Sequence, residues 1–385
     1  MNKKYCIFLT VLFSLFIGGI LVGSLLAPDQ TFSELENRYL AKPPKLSLEN
    51  LEDGKFMEDA EDYVNDHVIG RDFWVALKAW SERLSGKQEN NGVYFGKEDT
   101  LLNRLDEPSW EDIPAQGSTP AQLGLNTSAG YVNDLVYNMD VPVYFGIIPS
   151  SSEIWSDRLP EGAPTADEKA IIDRLYDTVQ TFTIDMYSAL EEHKDEEIYY
   201  RTDHHWTSLG AYYGYTALME AMGMEAAPLD ESAKVTVSDS FYGTTFSTSG
   251  VRWVAPDHID RYISGDGVKV TGYPEGSPVE SSLYVDSYLD KKDKYSSFLG
   301  GNQPLCVIET EHTDAPKVLV IRDSYSDSLA PFLTQSFSEI HLFDTRMNKT
   351  SIKAYVEEND IDQVVVLYSI SNFISSSKDM FLLGR

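Results

Sequence analysis

Three side chains that together could attack an acyl group lie in two separate stretches of this chain. Asp203 precedes His205 by two residues within YYRTDHHWTSLG at residues 199–210, and Ser324 lies far downstream. A carboxylate that close to an imidazole can fix its tautomer and stabilise its protonated form. Such a histidine can take the proton of a serine hydroxyl, which makes the serine a nucleophile. The residue types therefore predict a Ser-His-Asp triad, provided that the fold brings the two stretches together.

The surroundings of Ser324 fit a nucleophile at the end of a strand. Residues 317–321 form an apolar run typical of a buried strand, and residues 323–333 have the spacing of a helix. A side chain at this junction faces the crevice of the sheet, and the amides of the helix N-terminus can stabilise an oxyanion beside it. The chain has no G-x-S-x-G elbow, so the α/β-hydrolase interpretation fails. In the alternative, Ser324 only caps the helix and His205 is a structural histidine.

The elements that must position these residues alternate between strands and helices. A continuous apolar run predicts a buried strand at residues 141–148, and further strands are predicted at residues 317–321, 339–343 and 363–367. Helical spacing predicts helices at residues 166–190, 207–222, 323–333 and 351–359. This alternation indicates an α/β fold with a parallel central sheet and helices on both faces. The other predicted elements are an edge strand at 306–310, a polar loop at 103–127, a turn at 368–373, and a flap over the site from 241–245 and 251–253.

The composition restricts the partners and the chemistry. The formal net charge is −30, which argues against nucleic acid as a partner because a phosphate backbone would be repelled. The only cysteines are Cys6 and Cys306, and Cys6 lies in the apolar N-terminal stretch, so no disulfide framework is expected. DHH sequences also occur in metal-dependent phosphoesterases. Here the other histidines are scattered without the spacing of metal ligands, so we predict neither a metal site nor a cofactor.

The N-terminus has the pattern of a membrane anchor. Residues 5–27 are uncharged and apolar, close to the ~20 residues that a transmembrane helix needs. Pro28 follows this run at a place where signal-peptide cleavage is disfavoured, so we predict an uncleaved signal-anchor at residues 1–27. A cleaved signal peptide is the alternative. Lys3 and Lys4 before the run, and acidic residues after it, place the N-terminus inside the cell and the rest of the chain outside.

Several motifs together resemble those of the bacterial DHHW family. They are TDHHW at 202–206, RDSYSDSLAPFL at 322–333, DTRM at 344–347, SELENRYLAKPP at 33–44, NGVYFG at 91–96 and VVVLYSISNF at 364–373. That family is similar to the SGNH-type O-acetyltransferases of alginate modification. The resemblance implies an SGNH-hydrolase-like three-layer α/β fold. We therefore expect a stalk at residues 28–50 and an extracellular catalytic domain at residues 51–385, behind the N-terminal transmembrane helix.

The resemblance also implies a role for each residue of the site. By position, Asp203 orients the imidazole, His205 is the base and Ser324 is the nucleophile. The candidates for contact with the oxyanion or the substrate are Asn372, Arg322 and Tyr368. The arginine stands where the family's nucleophile block has a glycine, which leaves the first oxyanion contact open. The asparagine has an alternative as an ordinary turn residue.

The implied activity is acyl transfer through a serine ester. We expect a membrane-anchored extracellular enzyme that O-acetylates a cell-surface or exopolysaccharide. A multi-spanning membrane acyltransferase of the MBOAT type is the expected supplier of acyl groups. Two alternatives stay open: a carbohydrate esterase of the same fold, which shares the triad, and a non-catalytic protein that binds polysaccharide or assists its assembly.

Overall fold

The structure, a computed structural model, describes residues 3–28, 30–33, 35, 38–115, 122–375 and 377–384. Parts of the predicted anchor, stalk and polar loop, and of the SELENRYLAKPP motif, lie outside the described residues. Contacts divide the chain into two units. The N-terminal unit contains Met1–Asn91 and Ser247–Trp253, and the sheet unit contains Gly92–Phe246 and Val254–Arg385.

The described residues of the two units form the following helices and strands. The helices are α1 Lys3–Leu26, α2 Leu48–Glu52, α3 Lys55–Asp66, α4 Arg71–Leu84, α5 Leu125–Asn138, α6 Ser151–Ile154, α7 Glu168–Thr178, α8 Met186–Glu192, α9 Ser208–Ala221, α10 Thr244–Ser249, α11 Ser326–Leu333, α12 Ile352–Glu358, α13 Ile370–Ser375 and α14 Ser377–Met380. The strands are β1 Phe32–Ser33, β2 Arg38–Tyr39, β3 Glu89–Asn90, β4 Val93–Phe95, β5 Leu101–Asn103, β6 Val143–Ile148, β7 Phe182–Ile184, β8 Val235–Phe241, β9 Asp257–Arg261, β10 Lys269–Gly272, β11 Val279–Ser281, β12 Leu305–Glu309, β13 Lys317–Arg322, β14 Glu339–Phe343 and β15 Gln363–Ser369.

A mixed but mostly parallel sheet forms the centre of the sheet unit. Among the described residues, eight strands build it in the order β11-β10-β12-β14-β13-β15-β6-β7. The strands from β14 to β7 run parallel. Strands β12, β10 and β11 continue the sheet in antiparallel pairs. The predicted α/β fold class is therefore confirmed.

Alternate residues of the central strands pack against opposite layers of helices. In β13, Val318 and Val320 belong to the apolar core that includes residues of α8, α9 and α11. Leu319 and Ile321 belong instead to the core that includes residues of α5, α7 and α12. Because successive side chains of a strand point to opposite faces, both faces of the sheet are covered. The result is a three-layer α/β/α sandwich, which explains why these strands read as continuous apolar runs.

The carboxyl ends of the parallel strands lie along one edge of the sheet. Strand β13 ends at Arg322, which is paired with Leu367 of β15. Strand β15 ends at Ser369, which is paired with Ile148 of β6. Ser324 follows the end of β13, so it lies at the edge where open α/β sheets bind their ligands.

Three element predictions are wrong. The segment predicted as one helix at 166–190 contains α7, β7 and α8, because the aromatic and β-branched residues of Phe182–Ile184 pair with β6. The strand predicted at the sheet edge, at 306–310, is β12, which lies between β10 and β14. The turn predicted at 368–373 instead completes β15 at Ser369 and begins α13.

The N-terminal unit contains the predicted apolar helix and an ion pair. By length and composition, α1 can span a membrane. At the end of α3, the Asp66 carboxylate accepts hydrogen bonds from the Arg38 guanidinium and, at 2.7 Å, from the Ala41 backbone N–H. The hydrogen-bonded Arg38 guanidinium lowers the pKa of Asp66 to about 2, against the effect of burial. This contact ties the segment before α2 to α3.

Candidate active site

The structure brings Asp203, His205 and Ser324 into one chain of hydrogen bonds. His205 Nε2 lies 2.7 Å from Ser324 Oγ, and His205 Nδ1 lies 2.5 Å from Asp203 Oδ1. The aspartate and the histidine are buried, at 2% and 5% exposure, whereas the serine is partly exposed. With the Nδ1 proton directed to the carboxylate, Nε2 can accept the serine proton. The geometry is therefore that of a nucleophile, a base and an orienting carboxylate.

Donors on both oxygens hold Asp203 in its ionised form. Its Oδ1 accepts the backbone N–H of His205 at 3.0 Å. Its Oδ2 accepts the backbone N–H and the hydroxyl of Thr244, at 2.6 and 2.9 Å. Burial raises the pKa of Asp203, but the adjacent His204 and His205 and these hydrogen bonds outweigh burial and keep the pKa well below its usual range. The carboxylate can thus stabilise an imidazolium on His205.

A glycine allows this close approach to Asp203. A Cβ atom on Gly243 would lie 2.2 Å from the Asp203 Oδ2 atom. The Gly243 backbone N–H also donates to the Thr202 hydroxyl at 3.2 Å. Residues 243–244, predicted to form part of a flap, therefore lie directly against the carboxylate. The other predicted part of the flap, residues 251–253, belongs to the N-terminal unit.

A second buried aspartate fixes the loop that carries Asp203. The carboxylate of Asp257 accepts the backbone N–H of Thr202 at 2.8 Å and its hydroxyl at 2.6 Å. It also accepts the backbone N–H of Arg201 at 3.0 Å. Burial raises the pKa of Asp257, and the hydrogen bonds from the loop oppose that rise. The backbone just before Asp203 is therefore fixed by three donors on one carboxylate.

Tyr295 contacts both His205 and Ser324. Its ring stacks on the His205 imidazole, with 3.8 Å between the ring centroids and 9° between the planes. Its hydroxyl donates to the backbone carbonyl of Ser324 at 3.0 Å. Burial raises the pKa of the Tyr295 hydroxyl well above its usual value, so the group remains a donor. One side chain thus sets the position of His205 relative to Ser324.

Two further hydrogen bonds join the DHHW stretch to residues 323–325, the nucleophile turn. Trp206 is fully buried, and its Nε1–H donates to the backbone carbonyl of Tyr325 at 3.0 Å. The Tyr325 hydroxyl donates in return to the backbone carbonyl of His204. The tryptophan therefore connects the two halves of the site, which explains its place directly after the base.

Asn372 and Ser369 bind the carboxylate of buried Asp323, next to the nucleophile. The Asn372 side-chain amide donates to Asp323 Oδ2 at 2.8 Å. The same oxygen accepts the Ser369 backbone N–H and hydroxyl, at 2.8 and 2.7 Å. Asp323 Oδ1 accepts the backbone N–H of Tyr325 at 3.0 Å. The described contacts of the Asn372 amide thus run to the nucleophile turn through Asp323.

Arg322 is fully buried and pairs with Asp327 in the first turn of α11. Its Nη1 lies 2.9 Å from Asp327 Oδ1, 3.0 Å from Asn302 Oδ1 and 3.2 Å from the carbonyl oxygen of Asp323. Burial raises the pKa of Asp327 to about 6, although the guanidinium opposes that rise. The arginine therefore ties the end of β13 to the start of α11 on both sides of Ser324.

Tyr368 lies in the core on the α5 and α7 face of the sheet. Its side chain is fully buried there. Its hydroxyl oxygen lies 2.9 Å from Oγ1 of Thr345, which belongs to the DTRM motif. The structure thus brings Asp203, His205 and Ser324 together. Arg322 and Asn372 contact Asp327 and Asp323, which lie on either side of Ser324. The Tyr368 hydroxyl contacts Thr345 instead.

The DHH stretch also offers atoms that could hold a metal ion. One ligand atom each of Asp203, His204 and His205 lies within 4.8 Å of the others. The hydrogen bonds already use most of these atoms: the Asp203 carboxylate accepts from Thr244 and His205, and His205 Nε2 faces Ser324. A metal on His205 would displace the serine. The donor set therefore favours proton transfer over metal binding.

Sequence analysis places Thr244 in a flap over the site without a role for its side chain, and it does not find Asp257 and Tyr295. All three residues position the predicted ones. Glycine next to a threonine is a weak signal of close approach to a polar group. Nothing distinguishes Tyr295 among the 23 tyrosines of the chain. These residues become recognisable only when the fold brings them to the site.

The strand order, the three layers and the position of the site define an α/β/α protein with a Ser-His-Asp arrangement at the carboxyl ends of its parallel strands. The sequence model described as DHHW protein matches residues 129–343, which is more than half of the chain. The chain therefore belongs to the DHHW family, as its motifs predict. A search among curated protein sequences finds no significant match.

The solved structures that resemble this chain include the following three. A DHHW family protein from Eubacterium siraeum is 24% identical, with a TM-score of 0.64 over 76% of this chain and 95% of that chain. Bacillus cereus PatB1 with a sulfonyl adduct is 20% identical, with a TM-score of 0.57 over 76% of this chain and 98% of that chain. The O-acetyltransferase domain of Pseudomonas putida AlgJ is 15% identical, with a TM-score of 0.42 over 76% and 93%. The first two show the fold of the sheet unit.

Proposed function

We propose that this protein is a membrane-anchored serine O-acyltransferase that acetylates a cell-surface polysaccharide. The observation that carries the proposal is the hydrogen-bonded chain from Ser324 through His205 to Asp203. Membership of the DHHW family, which resembles the SGNH-type O-acetyltransferases, supports acyl transfer as the reaction class. The sulfonyl adduct of PatB1 adds support, because sulfonyl reagents react with activated nucleophiles.

In the first half of the reaction, Ser324 takes the acetyl group from a donor. Its Oγ attacks the donor's carbonyl carbon while His205 Nε2 accepts the hydroxyl proton. Asp203 stabilises the imidazolium that results. The carbonyl oxygen becomes an oxyanion, for which we assign the Ser324 backbone N–H as a donor. The intermediate collapses, the leaving group takes the proton from His205, and an acetyl ester remains on Ser324.

In the second half, a sugar hydroxyl takes the acetyl group. His205 accepts the hydroxyl proton, the sugar oxygen attacks the ester carbon, and Ser324 leaves and regains the proton. Water in place of the sugar would give hydrolysis, which is the reaction of an esterase. We assign Arg322 and Asn372 as positioning residues, because their described contacts reach Asp327 and Asp323 on either side of the nucleophile.

The membrane placement follows from α1. We propose that this helix is retained as a single-pass anchor, with Lys3 and Lys4 on the inner side. The stalk at residues 28–50 and the catalytic domain at residues 51–385 would then lie outside the cell. Acetyl groups would have to reach that side, and a multi-spanning acyltransferase of the MBOAT type is the partner that we propose as their supplier.

The test uses the full-length chain in detergent with p-nitrophenyl acetate as donor and a cell-surface oligosaccharide as acceptor. Ser324→Ala and His205→Ala should each lower acetylation and hydrolysis by about a thousandfold or more. Ser326→Ala is the matched control, because the Ser326 hydroxyl lies two residues away and has no hydrogen-bond partner in the part of the chain that the structure describes.

The outcomes separate the candidate functions. Acetylated oligosaccharide that disappears with Ser324→Ala supports the proposal. Hydrolysis without any acetylated acceptor supports the esterase. If neither product forms, or if Ser324→Ala matches Ser326→Ala, the catalytic proposal is wrong and a binding or assembly role leads.

A further inference from the structure

The hydrogen bonds around Thr244 define the tautomer of His204, the residue between Asp203 and His205. The Thr244 hydroxyl lies 2.9 Å from Asp203 Oδ2 and 2.6 Å from His204 Nδ1. A hydroxyl has one proton, and an ionised carboxylate can only accept. The proton of Thr244 therefore goes to Asp203. The short contact with His204 is then a hydrogen bond only if His204 Nδ1 carries a proton and donates it to Thr244.

The other ring nitrogen of His204 is open to a ligand. The His204 side chain is 34% exposed. Its Nε2 atom has no hydrogen-bond partner in the described part of the chain. The atom is also accessible to solvent and is not buried. A neutral imidazole with its proton on Nδ1 presents a lone pair on Nε2. The pKa of His204 lies below its usual value, because of burial and because His205 is adjacent, which favours the neutral ring.

This free acceptor lies beside the catalytic base. The centroids of the His204 and His205 rings are 3.9 Å apart, with 36° between the planes. The Tyr325 hydroxyl holds the backbone carbonyl of His204, and Thr244 holds the ring at Nδ1. His204 is therefore held at its backbone and at its ring, and the ring lies against the imidazole that takes the proton of an acyl acceptor in the proposed reaction.

We propose that His204 Nε2 binds a second hydroxyl of the acceptor sugar while His205 deprotonates the first. The inference rests on the proposed acyl transfer and assigns the ligand class of that site, a polyol with neighbouring hydroxyls. Water and simple alcohols cannot present two hydroxyls in this way. The site therefore favours transfer to sugar over hydrolysis of the acetyl-enzyme. A misplaced or missing second hydroxyl leaves the His204 acceptor without its partner.

The tautomer can be measured without any reaction. The full-length chain is labelled with ¹⁵N-histidine in detergent, and the His204 signals are assigned by their loss in His204→Gln. We expect long-range ¹H–¹⁵N spectra at neutral pH to show a protonated Nδ1 and an unprotonated Nε2. A proton on Nε2 of His204 overturns the proposal, because that nitrogen could then not accept a hydroxyl.

The acceptor preference is tested with two small alcohols in competition. With p-nitrophenyl acetate as donor, acetylation of ethane-1,2-diol is compared with acetylation of 2-methoxyethanol, which keeps the second oxygen as an ether and has one hydroxyl. The wild type should prefer the diol by about fivefold beyond the statistical factor of about two, since one hydrogen bond is worth about 1 kcal/mol. The preference should fall to the statistical value in His204→Phe and be partly kept in His204→Gln, whose side-chain carbonyl can accept.

The ratio is internal to each reaction, so losses in total activity cancel. A statistical ratio in the wild type, or the wild-type ratio in His204→Phe, overturns the acceptor site and leaves acyl transfer intact. If the wild type acetylates neither alcohol and no sugar, the proposed transfer fails and the acceptor site fails with it.

Discussion

Replacing Glu168 by glutamine tests how the loop at the end of β6 is held. Glu168 is 1% exposed. Its carboxylate accepts the Ser150 backbone N–H at 2.7 Å and the Ser150 hydroxyl at 2.6 Å. Burial raises the pKa of Glu168 from 4.5 to about 7, although the hydrogen bonds from Ser150 oppose that rise. Glutamine keeps the size and one oxygen acceptor but cannot ionise.

The sign and size of the effect follow from that shift in pKa. The folded protein holds the Glu168 proton more tightly than the unfolded chain does, so the stabilisation is complete below pH 4.5 and is lost as the pH rises through about 7. At about 1.4 kcal/mol per pKa unit, the ionised carboxylate costs about 3 kcal/mol of stability at high pH. The free energy of unfolding of Glu168→Gln, relative to wild type, should rise by about 2 to 3 kcal/mol between about pH 5 and about pH 8.

The assay is urea denaturation of the full-length chain in detergent, followed by tryptophan fluorescence at several pH values. Asp327, whose pKa is raised to about 6, is common to both proteins, so its effect cancels in the difference. Asp177→Asn, at an exposed position of the same helix, controls for the loss of one negative charge. A difference between Glu168→Gln and wild type that stays flat across this range, or that falls with pH, would refute the reasoning.

Three further predictions concern the site and its supports. Thr244→Val should lower kcat/KM for p-nitrophenyl acetate by about tenfold, since Asp203 loses a hydrogen bond worth about 1 to 2 kcal/mol. Thr244→Ser keeps the hydroxyl and should leave kcat/KM unchanged. Equal values of kcat/KM for the two variants would contradict this. Arg322→Met should lower the free energy of unfolding by about 3 to 5 kcal/mol, because Asp327 is left as an unpaired buried charge. Adding Asp327→Leu should restore most of the lost stability, as measured by urea denaturation. A double variant as unstable as the single one would contradict this. Dialysis against EDTA should leave ester hydrolysis unchanged, because His205 Nε2 faces Ser324 and not a metal ion; loss of activity that zinc restores would indicate a metal site.

Local sequence patterns predict the parts of the fold that are buried in continuous runs. The strands at 317–321, 339–343 and 363–367 are mostly apolar, because both faces of the parallel sheet are covered. The same reasoning misses β7, because Phe182–Ile184 is short and lies within residues with helical spacing. Its pairing with β6 is a long-range contact, and tertiary pairing outweighs local spacing there.

The candidate site divides in the same way. Asp203 and His205 are predictable together because two residues of separation already allow a carboxylate to reach an imidazole. Ser324 is a candidate from its place between a predicted strand and a predicted helix, and the resemblance to the DHHW family supports it, but only the fold brings it to His205. The sequence places Thr244 only in a predicted flap, and Tyr295 has no local signal. Their hydrogen bonds and ring contacts join segments that are far apart in the chain, so the structure is needed to find them.

The most direct test of the central claim is to look for the acetyl group on Ser324. The full-length protein is mixed with p-nitrophenyl acetate, quenched in acid within the first turnover, and digested for peptide mass spectrometry. We predict one acetyl group on the peptide that contains Ser324, which is absent in Ser324→Ala, lost on longer incubation in the wild type, and lost faster when a sugar acceptor is present. Acetylation of another residue with turnover intact, or turnover that persists in Ser324→Ala, would contradict the account.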